Sequence, residues 1–447
     1  MRKILSIVLC ALMLVCTMPL VGCTERSAQL KIYNVGEYMD DSVIDGFADW
    51  YYAQTGEHVE VMYKTYSTNE DMYTEIYKKE ADYDVVLGSD YILTRMIKNK
   101  LVKPIDTQLI YGEDGESGVV DPAILQFVNE YENASNKEDY DASVRYSVPY
   151  MWGTFGIMYR YDKTESQREL FDWENLSWDV LFAQPNVFEE RRYMKNSVRD
   201  AYASAAIMAH RETLGELSNG FTDYNDVYYS YLKTVINDTS SKNMSLVKST
   251  LKNQKQYVLK YESDFGKDDM IKPNPEGYYG LFWSCDAGYA MTGDDDILGC
   301  TDLYYGVPKE GSNVWVDSFV IPKYCENEKA AQYFLKYLCE YDQAYVNRDY
   351  AGCSSPIMEV AEDTEEIMRI AWDIVCDVER EVPDDVAEDV EYYVEFFGSA
   401  KTDDFGEMFI DMLFPSEEVL SRCAVMKDSD KNACIEMAKM WISVKAS

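Results

Sequence analysis

Residues 30–66 run LKIYNVGEYMDDSVIDGFADWYYAQTGEHVEVMYKTY, and the fold follows from how this stretch alternates. LKIYNVG (30–36) has the pattern of a strand. In DDSVIDGFADWYYAQTG, Val43, Phe47, Trp50 and Tyr51 recur at helical spacing, with Asp41 or Ser42 as N-cap and Gly56 where a helix stops. HVEVMYKTY (58–66) returns to a strand. TNEDMYTEIYKKEA (68–81) then spaces Met72 and Ile76 along one helical face. DVVL (84–87) is short, and after Asp84 it is wholly apolar, as in a parallel strand buried on both faces. Three strands joined by two helices predict right-handed crossovers in a doubly wound α/β sheet.

Beyond a loop-rich, acidic stretch (102–145), SVPYMWGTFGIMYRYD (147–162) predicts a strand that leaves this first lobe for a second. The second lobe begins with helices, among them SVRDAYASAAIMAH (197–210). A polar, Tyr-rich stretch (220–280) leads to YYGLFWSCDAGYAM (278–291) and the strand VWVDSFVIPK (314–323). One amphipathic helix is expected over ENEKAAQYFLKYLCEYDQAYVNRDYAG (326–352), and mostly helices over 358–447. No internal repeat interrupts this order. A chain of 447 residues exceeds one ordinary core, which fits two lobes.

The N-terminus points to export. Arg2 and Lys3 precede an apolar run from Ile4 to Leu20, followed by Leu20-Val21-Gly22-Cys23. A basic start, a short apolar core and small residues before a cleavage point make a bacterial signal peptide over 1–22 rather than a membrane span. The Leu-Val-Gly-Cys ending resembles a lipobox, which would make Cys23 the lipidated mature N-terminus and 23–28 a linker. The alternative is an ordinary signal peptide with a chance cysteine. Membrane contact is therefore expected through the N-terminal lipid only, on the outer face of the cytoplasmic membrane.

The formal net charge of -38, and of -40 once Arg2 and Lys3 are removed, excludes nucleic acid and anionic lipid as natural partners. An acidic surface keeps an exported protein soluble and also concentrates polycations near it. With only His58 and His210, far apart in sequence, a histidine-based triad or zinc site is disfavoured. Eight cysteines follow Cys23, all between Cys285 and Cys434, without a CxxC pair. An exported setting permits disulfides, but their connectivity is open at this stage.

VWVDSFVIPK raises the chemical question. Period-2 alternation puts Trp315, Asp317 and Phe319 on one face, with Val316, Ser318 and Val320 on the other. An ionised acid between aromatics is costly unless something positive meets it, either an Arg of the same chain or a ligand. Ligands of doubly wound sheets lie beyond the carboxyl ends of the strands. Those ends carry Gly36-Glu37-Tyr38 and Gly88-Ser89-Asp90-Tyr91, which ordinary turn chemistry would also explain. Taken alone, Trp283 and Trp315 suit a hydrophobic core, and Asp200 and Asp286 suit exposed faces of an acidic protein.

Eight segments in order alter that balance. IYNVGEY (32–38), TYSTNEDMYTEI (65–76), YDVVLGSDYILTRM (83–96), VPYMWGTFGIMY (148–159), SVRDAY (197–202), LFWSCDAGYAM (281–291), VPKEGSNVWVDSFVIP (307–322) and SSPI (354–357) are collinear with one family. Over residues 29–360, apart from an insertion near 215–270, the chain resembles the spermidine/putrescine-binding lipoproteins of bacterial polyamine ABC transporters. The resemblance implies an α/β, two-lobe periplasmic-binding-protein-like fold of type II. Each lobe would be a doubly wound sheet with flanking helices, and the ligand would lie in the cleft between them. Lobe 1 would comprise 29–146 and 316–357, and lobe 2 would comprise 147–315 and 358–447. It further implies a monomeric protein without cofactor, metal or catalytic residues, which captures a polyamine and delivers it to permease subunits.

Carried over position by position, the cleft would draw on Glu37, Tyr38, Ser89, Tyr91, Asp200, Trp283, Asp286, Trp315 and Asp317. Polyamine chemistry suits such a set, because ammonium groups need carboxylates and methylenes need flat apolar walls. Aromatic faces serve both. Three positions depart from the family pattern. Val35 stands where an aromatic is usual, Ser197 where many members have an acid, and Cys353 where Tyr is common. Asp286, in a W-x-x-D arrangement, resembles putrescine-preferring members. Other readings are a surface sensor or adhesin with the same cleft, a carrier of another cationic metabolite or a metal, and an exported glycosidase using two carboxylates. Few histidines weigh against a metal, and no nucleophile motif or acid pair supports the glycosidase.

Overall fold

The computed structural model describes residues 28–78, 81–133, 144–182, 188, 191–263, 265–293 and 298–447. The signal peptide and Cys23 lie outside the described residues. The N-terminal alternation is present as β1 (Ala28–Val35), α1 (Asp41–Thr55), β2 (Val59–Tyr66), α2 (Asn69–Lys78), β3 (Val85–Ser89) and α3 (Asp90–Lys98). α1 starts one residue earlier than expected, because the Asp40 carboxylate accepts the Ser42 N–H at 2.7 Å. Gly56 ends it in the left-handed region, φ 71°, a conformation that disfavours residues with a Cβ. Val43, Phe47 and Tyr51 are buried and Trp50 is half-buried, so the 3.6-residue stripe does face the sheet.

β1 pairs in parallel with both β2 and β3, giving the order β2-β1-β3. Two long strands continue the sheet. β4 (Ser147–Arg160) is buried along its whole length, and β9 (Ser312–Pro322) lies between it and β3. Residues 147–154 of β4 pair with β9, whereas 155–160 pair with β7 (Tyr279–Trp283) and β8 (Leu303–Gly306). β7, β5 (Arg192–Lys195) and β6 (Val258–Glu262) run parallel and complete the far half, in the order β4-β7-β5-β6. The sheet therefore has two halves, joined by β4 and β9.

Helices cover both halves. α4 (Val198–Ala209) packs against α5 (Asp226–Asn237) and α6 (Ser241–Lys255), which lie with the edge strand β6 in the stretch 215–270. α7 (Ser284–Thr292) follows β7. The single helix expected over 326–352 is two, α8 (Glu328–Leu338) and α9 (Tyr341–Ala351). Glu340 between them is extended, with φ -68° and ψ 142°, and redirects α9 so that Asn347 accepts the Asp40 N–H at 3.1 Å. Residues 358–447 are mostly helical, as expected. Helix 405–413 packs on β8 and α7, and helix 431–445 packs on α6.

Candidate ligand-binding site

The carboxyl ends of the parallel strands converge where the two halves of the sheet meet. On the first half, Asp317 of β9 stands opposite Ser89, the last residue of β3. The Tyr38 hydroxyl, beyond the end of β1, donates to Asp317 Oδ2 at 3.0 Å, and Ser89 is its second hydrogen-bonding partner. Among the described residues no Lys or Arg forms an ion pair with Asp317. Burial pushes its carboxyl above the usual range, and the bonds from Ser89 and Tyr38 offset only part of that.

β4 and β9 shape this wall. The register slips between Asp317 and Ser318, leaving Tyr150 as an extra residue on β4. Its hydroxyl reaches out to donate to the Tyr38 carbonyl at 2.6 Å, which fixes the turn carrying Tyr38. Phe319, expected on the face of Trp315 and Asp317, is fully buried against Tyr150 and Phe334. Trp315 and Asp317 are only half-buried. Trp315 lies over Gly153, where a Cβ would come within 2.7 Å of the indole. Its Nε1–H, although buried, has no hydrogen-bond partner among the described residues.

Asp90 begins α3 beside this group and is 2% exposed. One oxygen accepts the Tyr91 N–H at 2.6 Å, and the other has no partner. Burial drives its pKa well above the carboxylate range, and the nearby charges of Asp317 and Asp200 act in the same direction. Asp200, in the first turn of α4, is also buried. Its pKa is raised by that burial, against the pull of the Ser197 hydrogen bond, Lys195 and Arg199. Ser197 is the N-cap of α4 and accepts the Asp200 N–H at 3.3 Å.

The second half carries a cation of its own. Lys195, Glu262 and Trp283 end the neighbouring parallel strands β5, β6 and β7. The Lys195 ammonium lies 2.6 Å from Asp286 and 3.3 Å from Glu262, and donates to the Ser263 carbonyl at 2.7 Å. It also sits 4.4 Å from the centroid of the Trp283 ring. Burial opposes its charge, but Asp286 and Glu262 outweigh that and hold its pKa above the ordinary lysine value. Lys267 approaches the other Asp286 oxygen at 3.6 Å. Arg199 covers Tyr91 with its guanidinium carbon 3.7 Å from the ring centroid.

The structure thus links Tyr38, Ser89 and Asp317 by hydrogen bonds, with Trp315 two residues away on the same strand and Asp90 and Asp200 within electrostatic reach. Trp283 and Asp286 meet Lys195, and Tyr91 meets Arg199. Glu37 is apart from them, on an exposed turn with φ 55°. Cys353 forms a disulfide with Cys285, next to Trp283 and Asp286, with Cα atoms 4.6 Å apart. Cys300, Cys325, Cys339, Cys376, Cys423 and Cys434 are free.

The sequence reading did not single out Asp90, Lys195, Arg199 or Glu262. Asp90 lies in the strand-end segment already quoted, and Lys195 closes the strand before SVRD, so the rule of strand carboxyl ends would have reached both. Glu262 lies in the stretch 215–270, expected as an insertion, where no local pattern marked it.

Residues 47–368 match the family model described as bacterial extracellular solute-binding protein. The chain is 24% identical over 330 residues to the spermidine/putrescine-binding periplasmic protein of Escherichia coli K12, covering 73% of this chain and 77% of that protein. It is 23% identical over 319 residues to a putrescine-binding periplasmic protein of the same organism, covering 70% and 74%. Among solved structures, a spermidine/putrescine ABC transporter substrate-binding protein from Streptococcus pneumoniae has a TM-score of 0.62 at 21% identity, covering 94% of this chain and 99% of that one. A lipoprotein of Treponema pallidum has a TM-score of 0.61 at 19% identity, covering 93% and 99%. The fold is the two-lobe α/β architecture of these substrate-binding proteins.

Proposed function

The chain belongs to the bacterial extracellular solute-binding proteins, and from that premise we propose that it captures polyamines, putrescine or spermidine, and delivers them to the permease of an ABC transporter. It does so from the outer face of the cytoplasmic membrane, held as a monomer by a lipid on Cys23, and it binds without doing chemistry. Lobe 1 comprises 29–146 and 316–357, and lobe 2 comprises 147–315 and 358–447. The passage of β4 and β9 from one half of the sheet to the other supports a hinge there.

The observation that carries this reading is Asp317. It is a half-buried carboxylate with two hydroxyl partners, no cation among the described residues paired to it, and an indole two residues away on the same strand. In this reading an ammonium group takes the missing position. It contacts Asp317, with Asp90 and Asp200 supplying further negative charge, and its methylenes lie along Trp315 and Tyr38. A desolvated cation–π contact contributes about 2 kcal/mol. Each charge-assisted hydrogen bond contributes roughly 1.5–3 kcal/mol. After ordering costs a few of these reach micromolar affinity.

Calorimetry on the purified full-length mature protein is expected to show stoichiometric binding of putrescine or spermidine at micromolar affinity or better. The absence of both heat and thermal shift with either amine would end the proposal. Uptake of labelled amine by cells with and without this protein then separates delivery from sensing.

A further inference from the structure

Two acid–aromatic pairs line the meeting of the sheet halves, and they differ in one respect. Among the described residues no Lys or Arg pairs with Asp317 or lies over the Trp315 ring. Trp283 and Asp286 face the ammonium of Lys195, which is 1% exposed, ion-paired at 2.6 Å with Asp286 and at 3.3 Å with Glu262, and hydrogen-bonded at 2.7 Å to the Ser263 carbonyl. Its position 4.4 Å from the Trp283 ring is where the ammonium of a ligand would be attracted by that face. Lys267 adds a second cation 3.6 Å from the remaining Asp286 oxygen. Among the described residues two lysines form ion pairs with Asp286 and Glu262, whereas none pairs with Asp317 or Asp90.

We infer that Lys195 is a specificity-determining residue whose tethered ammonium occupies the seat that Trp283 and Asp286 would otherwise offer to a second ammonium of the ligand. The inference rests on the amine-binding function proposed above and narrows its ligand class. The site takes an amine read through a single ammonium group, at Asp317 with Asp90 and Asp200, and gives no recognition to a cation at the other end. The chain itself contributes the second cation of the cleft. Seating a ligand's ammonium there as well would place like charges together in a buried setting, which disfavours the charged forms of both.

The test compares putrescine with 1-aminobutane, which shares its four-carbon chain but lacks the second amine. It is run by calorimetry in about 0.15 M salt, where contacts with the distant acidic surface are screened. In the unmodified protein the two affinities are expected to agree within threefold. In Lys195→Met, which vacates the seat and leaves Asp286 and Glu262 without their main partner, putrescine is expected to bind at least tenfold tighter than 1-aminobutane. Putrescine should also raise the lowered Tm of the variant by more than 1-aminobutane does. A merely structural lysine would lower Tm without creating that difference between ligands.

Should Lys195→Met not fold, the affinity ratio in the unmodified protein decides by itself. A tenfold or greater preference for putrescine there overturns the inference and leaves the polyamine reading standing. Failure of the unmodified protein to bind putrescine, spermidine or 1-aminobutane removes that reading and the inference with it.

Discussion

Asp317 is pulled in opposite directions by burial and by binding. Its folded pKa is raised, as are those of Asp90 and Asp200, because burial disfavours their charge. Their contribution to the stability of the ligand-free protein is therefore fully present below the ordinary carboxylate pKa, about 4, and is lost as pH rises through the raised values. An ammonium ligand favours the ionised forms, so binding releases protons and affinity falls as pH drops through the same window. Calorimetry of putrescine in buffers of different ionisation enthalpy is expected to report net proton release that grows as pH is lowered from neutrality toward the raised values, with weaker binding at pH 5. Asp317→Asn is expected to weaken putrescine at least tenfold, about 1.4 kcal/mol or more, while the ligand-free Tm at pH 7.5 stays level or rises. Unchanged affinity in that variant would move the ammonium elsewhere. The residue pattern alone announced an acid in need of a partner. That its partners would be the hydroxyls of Tyr38 and Ser89 depends on β1, β3 and β9 being neighbours, which no short stretch encodes.

At the scale of elements, much of the first half of the sheet was legible. β1, α1, β2, α2 and β3 follow from apolar spacing, since a period of 3.6 or 2 is what burying one face requires. The break between α8 and α9 was not, because 326–352 keeps helical periodicity across Cys339 and Glu340. The turn there answers instead to the bond from Asn347 back to Asp40. The slip between β4 and β9 was equally hidden, although it separates Phe319 from the half-exposed Trp315 and Asp317. The pairing of these two strands also explains Gly153. With no Cβ, it lets the Trp315 indole lie flat across β4, and Ser284 approaches the same spot. Gly153→Ala is expected to push the indole off this strand. The strain is about 1–3 kcal/mol, read as a drop in Tm, and amine affinity falls with it because the apolar wall has moved. A variant with lowered Tm and unaltered affinity would show that the Trp315 ring takes no part in binding.

Across the whole molecule, the contacts hardest to foresee join segments far apart in sequence, as Lys195 joins Asp286 and Cys285 joins Cys353. Such pairs are set by how helices dock on the two halves of the sheet, whereas local patterns carry only which face of each element is buried. The disulfide has the larger mechanical consequence. Cys285 opens α7 beside Trp283, in the span proposed as lobe 2, and Cys353 follows α9 in the span proposed as lobe 1. The segment after Cys353 is bound to both proposed lobes. The Pro356 carbonyl accepts the Asp121 N–H at 3.0 Å, and the Ser354 hydroxyl donates to the Leu413 carbonyl at 2.6 Å. With the proposed lobe division, this disulfide would tie the lobes beside the proposed ligand seat, limit how far they part and slow ligand release as well as stabilise the fold. For a sequence separation of 68 residues, loop-closure entropy puts the stabilisation at about 4 kcal/mol. The double variant Cys285→Ser/Cys353→Ser is expected to lose Tm accordingly. It should also give a larger radius of gyration by X-ray scattering when ligand-free, shrinking to the unmodified value with putrescine, and a faster dissociation rate for that amine. Lower stability with unchanged radius and dissociation rate would mean that both cysteines move with one lobe, and would shift the hinge away from residues 352–357.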